Sequence, residues 1–251
     1  MYTVPQAVAS SYIEARPGTN FVLIDWSNMS QGDYITNAAS NTKVVGTTVA
    51  DQINTLIDNG LSLNKLHLVG HSLGAQIIGY AGRTLKSNYT KTFKRLTGLD
   101  PANPGFYPDG MLYHHISATD ADFVDIIHSD AGGYGAPVQT GTADFYPNGG
   151  KSYQPGCPLA VPLTIDSSCS HGRSWMYYAE SVRNATGFPG RQFSLNIAIL
   201  ATTEPTNIAY MGYGCSPSAN GSYYLSTNSQ SPFARGTGGL NSVNMEILLN
   251  L

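Results

Sequence analysis

One stretch, residues 65–81, constrains the fold more than any other because its hydrophobic period changes in the middle. Residues 66–69 form a short apolar run that is typical of a buried strand. Between residues 77 and 81 the apolar side chains recur at helical spacing. The change falls at Gly-His-Ser-Leu-Gly, residues 70–74. This pattern predicts a strand, a sharp turn and a helix, with Ser72 at the apex of the turn.

Such a turn gives Ser72 a chemical role. A serine there must adopt strained backbone angles, and glycine at both 70 and 74 is expected to remove clashes between strand and helix. The geometry lifts the hydroxyl out of the sheet and aims the Leu73 N–H at the place where an oxyanion would form. This predicts a nucleophile elbow. Because G-x-S-x-G is a weak motif in a glycine-rich chain, a purely structural Gly/Ser turn is the alternative.

The rest of the sequence alternates between strand and helix patterns. The predicted helices cover residues 6–15, 37–59 and 173–182, and the further predicted strands cover residues 21–26, 93–100 and 123–128. The inner face of the second helix is expected to carry Val44, Val45, Thr48, Val49, Ile53, Leu56 and Ile57. This order predicts an α/β fold with a mostly parallel, doubly wound sheet flanked by helices.

Length and composition favour one α/β domain over residues 1–251. Of these residues 41% are hydrophobic and 12% are charged, which suits a single large core. A net charge of −3 without a lysine or arginine cluster gives no reason to expect a nucleic-acid partner. No apolar run is long enough to span a bilayer. The first six residues lack the basic start and the apolar segment of a secretion signal.

Two further residues complete a candidate catalytic set. Asp100 ends the predicted strand 93–100, at the sheet edge where α/β active sites assemble, although it could instead cap the turn at Pro101. Among six histidines, His171 is predicted to be the general base, because it lies in a mobile loop (169–172) before a helix. The order Ser72, Asp100, His171 matches that of α/β-hydrolases. The other histidines are interpreted as packed or surface side chains or as pointing away from Ser72: His67, His71, His114, His115 and His128.

Five motifs in order along the chain carry a family resemblance. They are Gly-His-Ser-Leu-Gly (70–74), Gly-Leu-Asp-Pro-Ala (98–102), Asp-Phe-Tyr-Pro-Asn-Gly-Gly (144–150), Gln-Pro-Gly-Cys (154–157) and Cys-Ser-His-Gly-Arg-Ser (169–174). Together they resemble the animal pancreatic-lipase family, and within it most closely the insect and venom phospholipase A1 type. The resemblance implies an α/β-hydrolase fold in which Ser72 is the nucleophile, Asp100 the orienting acid and His171 the base.

Two features bear on the substrate. Cys157 and Cys169 enclose eleven residues, of which 158–165 are almost wholly apolar. A disulfide here would restrain a small hydrophobic flap at the family's lid position, and so short a lid resembles phospholipases A1 more than triacylglycerol lipases. A buried edge segment is the alternative interpretation. Because the sequence ends soon after the last family-like residues, 231–233, we also expect no β-sandwich lipid-binding domain of the kind that follows the catalytic domain in pancreatic lipases.

The sequence departs from the family pattern in three places. The His-Gly-aromatic turn that supplies a second oxyanion N–H is missing, so we expect the chain to be truncated before its first strands and its signal peptide. Of the positions that match the family's calcium segment, Leu112, His115, Ser117 and Asp120, only one is a carboxylate, so no metal is expected. Cys215 is expected either to pair upstream or to remain free.

The resemblance therefore implies a secreted, extracellular carboxylic-ester hydrolase, most consistent with phospholipase A1, that forms an acyl-enzyme on Ser72. Its expected partner is lipid at a membrane, lipoprotein or emulsion interface, and we expect a monomer without a cofactor. A triacylglycerol or galactolipid lipase is the first alternative, and a non-catalytic, yolk-like lipid-binding protein is the second. Four N-x-S/T sequons, at Asn28, Asn88, Asn184 and Asn220, fit a secretory route.

Overall fold

A computed structural model describes residues 4–159, 161, 163–192, 195–196, 201–202 and 207–240. The helices are α1 (Val4–Ala15), α2 (Ser40–Asp58), α3 (Leu73–Tyr89) and α4 (Ser168–Arg183), and a π-helix (Tyr34–Ala39) leads into α2. The strands are β1 (His67–His71), β2 (Arg95–Leu99), β3 (Val124–Ile127), β4 (Ala143–Pro147), β5 (Pro189–Gln192), β6 (Leu195–Asn196), β7 (Ala201–Thr202), β8 (Ile208–Tyr210) and β9 (Gly221–Leu225).

Seven strands form one mixed sheet in the order β1-β2-β3-β4-β9-β5-β8. The first five are parallel, whereas β5 is antiparallel to both β9 and β8, and β6 and β7 pair separately. Helices α1 and α4 pack together on one face of the sheet, and α2 and α3 pack together on the other. The predicted α/β fold is confirmed, and the architecture is that of an α/β-hydrolase.

The two faces of the sheet explain the continuous apolar runs in the sequence. Neighbouring residues of a strand point to opposite faces. In β3, Ile126 lies in the core beneath α2 and α3, whereas Ile127 lies in the core beneath α1 and α4, and both are fully buried. A central parallel strand that is buried on both faces therefore carries apolar side chains at neighbouring positions.

The predicted strand at residues 21–26 is wrong. These residues form no strand, and among the described residues β1 pairs only with β2, on one side. The ring of Phe21 lies 5.9 Å from the ring of Tyr12 in α1, centroid to centroid. Trp26, in contrast, packs against the core beneath α2 and α3. The chain thus passes from one face of the sheet to the other here, so its backbone does not align with β1, and Val22 is 82% exposed.

The inner face of α2 is narrower than the sequence pattern predicted. Val45 and Val49 are buried, but Val44 and Leu56 are more than half exposed, at 52% and 54%. Gly46 explains the difference, because a Cβ at this position would lie 2.5 Å from the Cβ of Tyr80 in α3. Close approach through a small residue confines the contact to one stripe of the helix. Within the described residues, no helix combines the length and the apolar character that crossing a bilayer requires.

Candidate active site

Ser72 lies between the end of β1 and the start of α3 in a conformation that few non-glycine residues adopt. Its φ is 55° and its ψ is −120°. Its N–H donates to the carbonyl oxygen of Leu99 at 3.0 Å, and its own carbonyl oxygen accepts from the N–H of Ala102 at 3.2 Å. These bonds tie the turn to the carboxyl end of β2. The strain and the two tethers agree with the predicted elbow.

The two glycines that flank Ser72 serve different purposes, contrary to the sequence prediction. A Cβ at Gly70 would lie 2.2 Å from the carbonyl oxygen of Gly74, so only glycine fits there. At Gly74 a Cβ would meet nothing within 4 Å. The close approach of strand and helix therefore requires glycine on the strand side alone.

Asp100 follows β2 directly and is completely buried. Its φ of 46° also lies in the left-handed region. Its Oδ1 accepts hydrogen bonds from the N–H groups of Ser129 (2.8 Å) and Asp130 (3.2 Å), which follow the neighbouring strand β3. A Cβ at Gly135 would come within 2.2 Å of the same oxygen. The carboxylate is thus held by backbone donors, with its second oxygen left for another partner.

That partner is His171. Its Nδ1 lies 2.7 Å from Oδ2 of Asp100. A carboxylate only accepts, so Nδ1 must carry the proton, which leaves Nε2 of the neutral ring as a proton acceptor. Within the described part of the chain, no hydrogen bond joins the Ser72 hydroxyl to this ring. Such bonds are often long in the absence of substrate and tighten when it binds.

The prediction that His171 lies in a mobile loop is wrong. The residue is in the first turn of α4, which begins at Ser168, and it is only 9% exposed. The sequence predicts that this helix begins only at residue 173, because its polar first turn, Ser-Cys-Ser-His, carries no apolar period. A rigid helix rather than a flexible loop therefore positions the imidazole.

His71 also belongs to the site, although the sequence predicts only that its side chain points away from Ser72. Its ring lies 4.6 Å from the ring of His171, centroid to centroid, and its Nε2 donates to the His171 carbonyl oxygen at 3.2 Å. Burial, together with the neighbouring His171, lowers the pKa of His71 to about 3. A neutral ring thus connects the elbow to the first turn of α4. The contact spans one hundred residues, and no local pattern signals it.

Asp130 is a second buried carboxylate near this pair. It accepts from the Ser152 hydroxyl and from the Tyr134 N–H, the latter at 2.8 Å. Burial, and to a smaller extent the charge of Asp100, raises the pKa of Asp130. The ring of Tyr134 lies 5.5 Å from that of His171. The glycine-rich turn after β3 is plain in the sequence. In the structure it therefore packs around Asp100 rather than lying apart from it.

The remaining histidines lie outside this cluster. His67 is bonded to Thr97 (2.7 Å), and burial lowers its pKa well below its usual value. His128 is fully buried, and its Nε2 lies 2.8 Å from Asp144. His114 and His115 lie beside Asp109.

A disulfide between Cys157 and Cys169 closes the predicted flap, and Cys169 lies in the same helical turn as His171. Ala160 and Pro162 lie outside the described residues. Three flap side chains are exposed, Leu159 (87%), Val161 (70%) and Leu163 (52%), so the alternative of a buried edge segment does not hold for them. Cys215 is a buried free thiol in the described part of the chain.

The segment that resembles a calcium site does not fit a cation. Arg83 already donates to Oδ2 of the buried Asp120 at 2.8 Å, and the Ser117 N–H donates to the same oxygen. The other matching positions, Leu112 and His115, bring no carboxylate, and hard cations need several oxygens. Among the described residues, no group of three or more His, Cys, Asp or Glu could hold a metal ion.

The sequence of this chain matches known proteins of one family. A family model described as Lipase matches residues 5–233. The chain belongs to the lipase family. Three relatives are similar to it. Inactive pancreatic lipase-related protein 1 of Mus musculus is 40% identical over 67% of this chain and 38% of its own length. Pancreatic triacylglycerol lipase of Mus musculus is 37% identical over 86% of this chain and 51% of its own length. Pancreatic lipase-related protein 2 of Rattus norvegicus is 38% identical over 68% of this chain and 39% of its own length.

The chain spans about half or less of the length of these relatives. Membership of the pancreatic-lipase group, which the sequence motifs implied, is confirmed. The closer likeness to insect and venom phospholipases A1 stays a prediction. One of the three relatives is named inactive, so membership of the family does not by itself establish catalysis.

Proposed function

We propose that this protein hydrolyses carboxylic esters of lipids by two-step acyl transfer at Ser72. The observation that carries the proposal is the 2.7 Å bond between His171 Nδ1 and Asp100. It fixes the tautomer that a general base needs, and the proposed nucleophile, Ser72, is held at φ 55° on a tight turn. Membership of the lipase family supports the same chemistry.

The steps follow from the roles of these groups. His171 Nε2 takes the Ser72 proton as the hydroxyl oxygen attacks the ester carbonyl. The Leu73 N–H, in the first turn of α3, donates to the oxyanion, because the first N–H groups of a helix have no partner within the helix. The imidazolium, stabilised by Asp100, then gives its proton to the leaving alcohol. Water repeats the sequence on the acyl-enzyme and releases the fatty acid.

A fluorophosphonate probe tests the nucleophile directly. The unaltered protein should be labelled at Ser72, and Ser72→Ala should lose both the label and ester hydrolysis while its circular dichroism spectrum stays unchanged. Asp100→Asn should keep the fold but slow turnover by about 10⁴-fold, the loss seen when a triad acid no longer fixes the tautomer. Absence of labelling in the folded protein would favour the non-catalytic, lipid-binding alternative, for which the relative named inactive is a precedent.

Among lipid esters, we propose phospholipids cut at the sn-1 position. The disulfide-closed flap between Cys157 and Cys169 supports this choice, because its twelve-residue separation leaves little chain to cover a site. Triacylglycerol is the second candidate, since one relative is named a triacylglycerol lipase, and galactolipid is a third. Phosphatidylcholine with different sn-1 and sn-2 chains separates these possibilities. Release of the sn-1 acid supports phospholipase A1, whereas hydrolysis of trioctanoin alone supports the second candidate.

We further propose that the protein acts outside the cell. Disulfides persist in oxidising compartments and are rare in the cytosol of most organisms, and this chain carries one within a turn of the proposed base. If the protein matures in an oxidising compartment, the Cys157–Cys169 peptide from cells that are alkylated before lysis should be recovered disulfide-linked. Recovery of both cysteines as alkylated thiols would count against it.

A further inference from the structure

Two of the four sequons lie at the far ends of helices whose opposite ends carry the candidate site, and a third lies at the amino end of β9. Asn88 is in the last turn of α3, which begins directly after Ser72. Asn184 is the C-cap of α4, whose first turn holds His171. With a helical rise of 1.5 Å per residue, each asparagine lies roughly 20 to 25 Å along its helix from the catalytic side chain.

Asn220 has a matching position on the sheet. It immediately precedes β9, and β9 runs parallel to β4, so that Leu225 lies opposite Pro147 at the carboxyl end of β4. The flap leaves the sheet from that end, whereas Asn220 lies about 17 Å away, at the amino end of the strand. Its backbone is anchored, because its carbonyl oxygen accepts from Gln192 at 2.6 Å and its N–H donates to Tyr223.

All three asparagines are exposed. Asn88 accepts a hydrogen bond from the Ser87 hydroxyl through Oδ1, so this bond does not involve its amide nitrogen. Asn184 lines a groove of about 880 Å³ between α1, α4 and residues 231–234. The hydroxyl residues of the first two sequons, Thr90 and Thr186, are exposed as well, whereas Ser222 of the third is half-buried in β9. The fourth sequon, at Asn28, lies near the start of α2 and is not included.

We propose that Asn88, Asn184 and Asn220 are N-glycosylation sites, and that their glycans lie away from the catalytic serine and the flap. In each case the amide nitrogen bonds to C1 of the first sugar of a lipid-pyrophosphate-linked oligosaccharide. The bond from C1 to the pyrophosphate breaks, the pyrophosphate leaves, and the amide gives up one proton. The proposal rests on the secretion proposed above but not on hydrolysis.

This placement divides the surface in two. Hydrated glycans cannot enter a lipid layer, so a sugar beside the flap would hold its exposed leucines and valine away from the lipid. Sugars at the far ends of α3, α4 and β9 leave the flap free. The three modifications therefore favour one orientation of the protein at a lipid surface, with the flap facing the lipid.

Site mapping tests the modification. The chain is secreted from human cells behind a cleavable signal and treated with peptide-N-glycosidase F in H₂¹⁸O, which converts each occupied asparagine into ¹⁸O-labelled aspartate. Label at all three sites is expected. Thr186→Ala should remove the label at Asn184, and Thr186→Ser should retain it. Recovery of any of the three peptides with unlabelled asparagine only would overturn the assignment for that site, whatever the hydrolytic activity.

A sequon moved to the flap tests the orientation. Asp166→Asn creates Asn-Ser-Ser at an exposed flap position, and the additional change Ser168→Ala removes that sequon again as a matched control. In flotation with phosphatidylcholine vesicles, the added flap glycan should weaken binding by about tenfold or more, whereas enzymatic removal of the natural glycans should change it less than about twofold. If the natural glycans weaken vesicle binding as much as the added flap glycan does, the proposed orientation is overturned.

Discussion

Gly70 lies where the end of β1 meets the first turn of α3. A Cβ at this position would clash with the carbonyl oxygen of Gly74, a backbone atom that cannot move aside as the tip of a flexible side chain can. Gly70→Ala should therefore lower the free energy of unfolding by about 1–3 kcal/mol, the usual cost of inserting a methyl group into a packed region. Urea denaturation followed by circular dichroism measures this change.

Gly74→Ala is the matched control for that substitution. Its Cβ would enter open space, and alanine favours a helix by about 0.8–1.0 kcal/mol over glycine, so stability should stay equal or rise. Equal losses for the two variants would show that the elbow needs glycine on both sides, as the sequence pattern alone suggested.

His71 makes the stability of the protein depend on pH in a defined direction. Its pKa is about 3 in the folded chain, whereas an unfolded histidine titrates near 6.5. Between these values only the unfolded state binds the proton, so the free energy of unfolding must fall as the pH drops below 6.5. By pH 5 the loss amounts to about 2 kcal/mol.

Removal of the histidine tests this prediction. His71→Gln keeps a donor for the His171 carbonyl oxygen but does not titrate, so the difference between urea unfolding at pH 7 and at pH 5 should shrink by about 2 kcal/mol. The exposed His114, replaced by Gln, controls for the loss of a histidine as such. An unchanged pH dependence in His71→Gln would contradict the assignment.

At the scale of elements, the disulfide joins the flap to the helix that carries His171. Replacing both Cys157 and Cys169 by Ala should lower the free energy of unfolding by about 3 kcal/mol, because the unfolded chain is no longer restrained by a closed loop of this length. Dithiothreitol should cause the same loss in the parent protein and in Cys215→Ala, but none in the double variant. Sensitivity of the double variant to dithiothreitol would contradict this account.

Elements bounded by strong local signals could be predicted from the sequence, and those defined by distant contacts could not. β1 and α3 carry their own periods and a glycine turn, and the prediction placed both correctly. Residues 21–26 have the composition of a strand, but a strand exists only when a neighbour pairs with it. The sequence does not predict the beginning of α4, because the first turn of this helix is polar and lacks the apolar spacing of a helix.

The same division applies to the site. The order of Ser72, Asp100 and His171 could be read from motifs, and the bond between the last two is present in the structure. The donors that hold Asp100, the ring of His71 beside His171, and the exposed flap all arise from tertiary packing. Sequence motifs thus predict which residues react, whereas the groups that orient them become visible only in the folded chain.

At the scale of the whole molecule, the flap gives the surface an apolar side. Leu159 is 87% exposed and Val161 is 70% exposed, in the loop that leads from β4 into α4. Single exposed apolar residues are ordinary, but these two are only two positions apart in a loop that a disulfide joins to the helical turn of His171. We expect them to enter the lipid layer and to contribute affinity in proportion to the apolar area that they bury.

Replacing both by Asp tests the role of the flap in reaching aggregated substrate. Leu159→Asp with Val161→Asp should lower the rate on phosphatidylcholine vesicles by about tenfold or more, because charged groups would have to enter the lipid layer. The rate on a water-soluble short-chain ester should change little, since the chemistry at Ser72 needs no interface. Ile13→Asp, at an equally exposed position on α1, should alter neither rate. If the flap variant loses both rates together, the flap shapes the catalytic site itself rather than the contact with lipid.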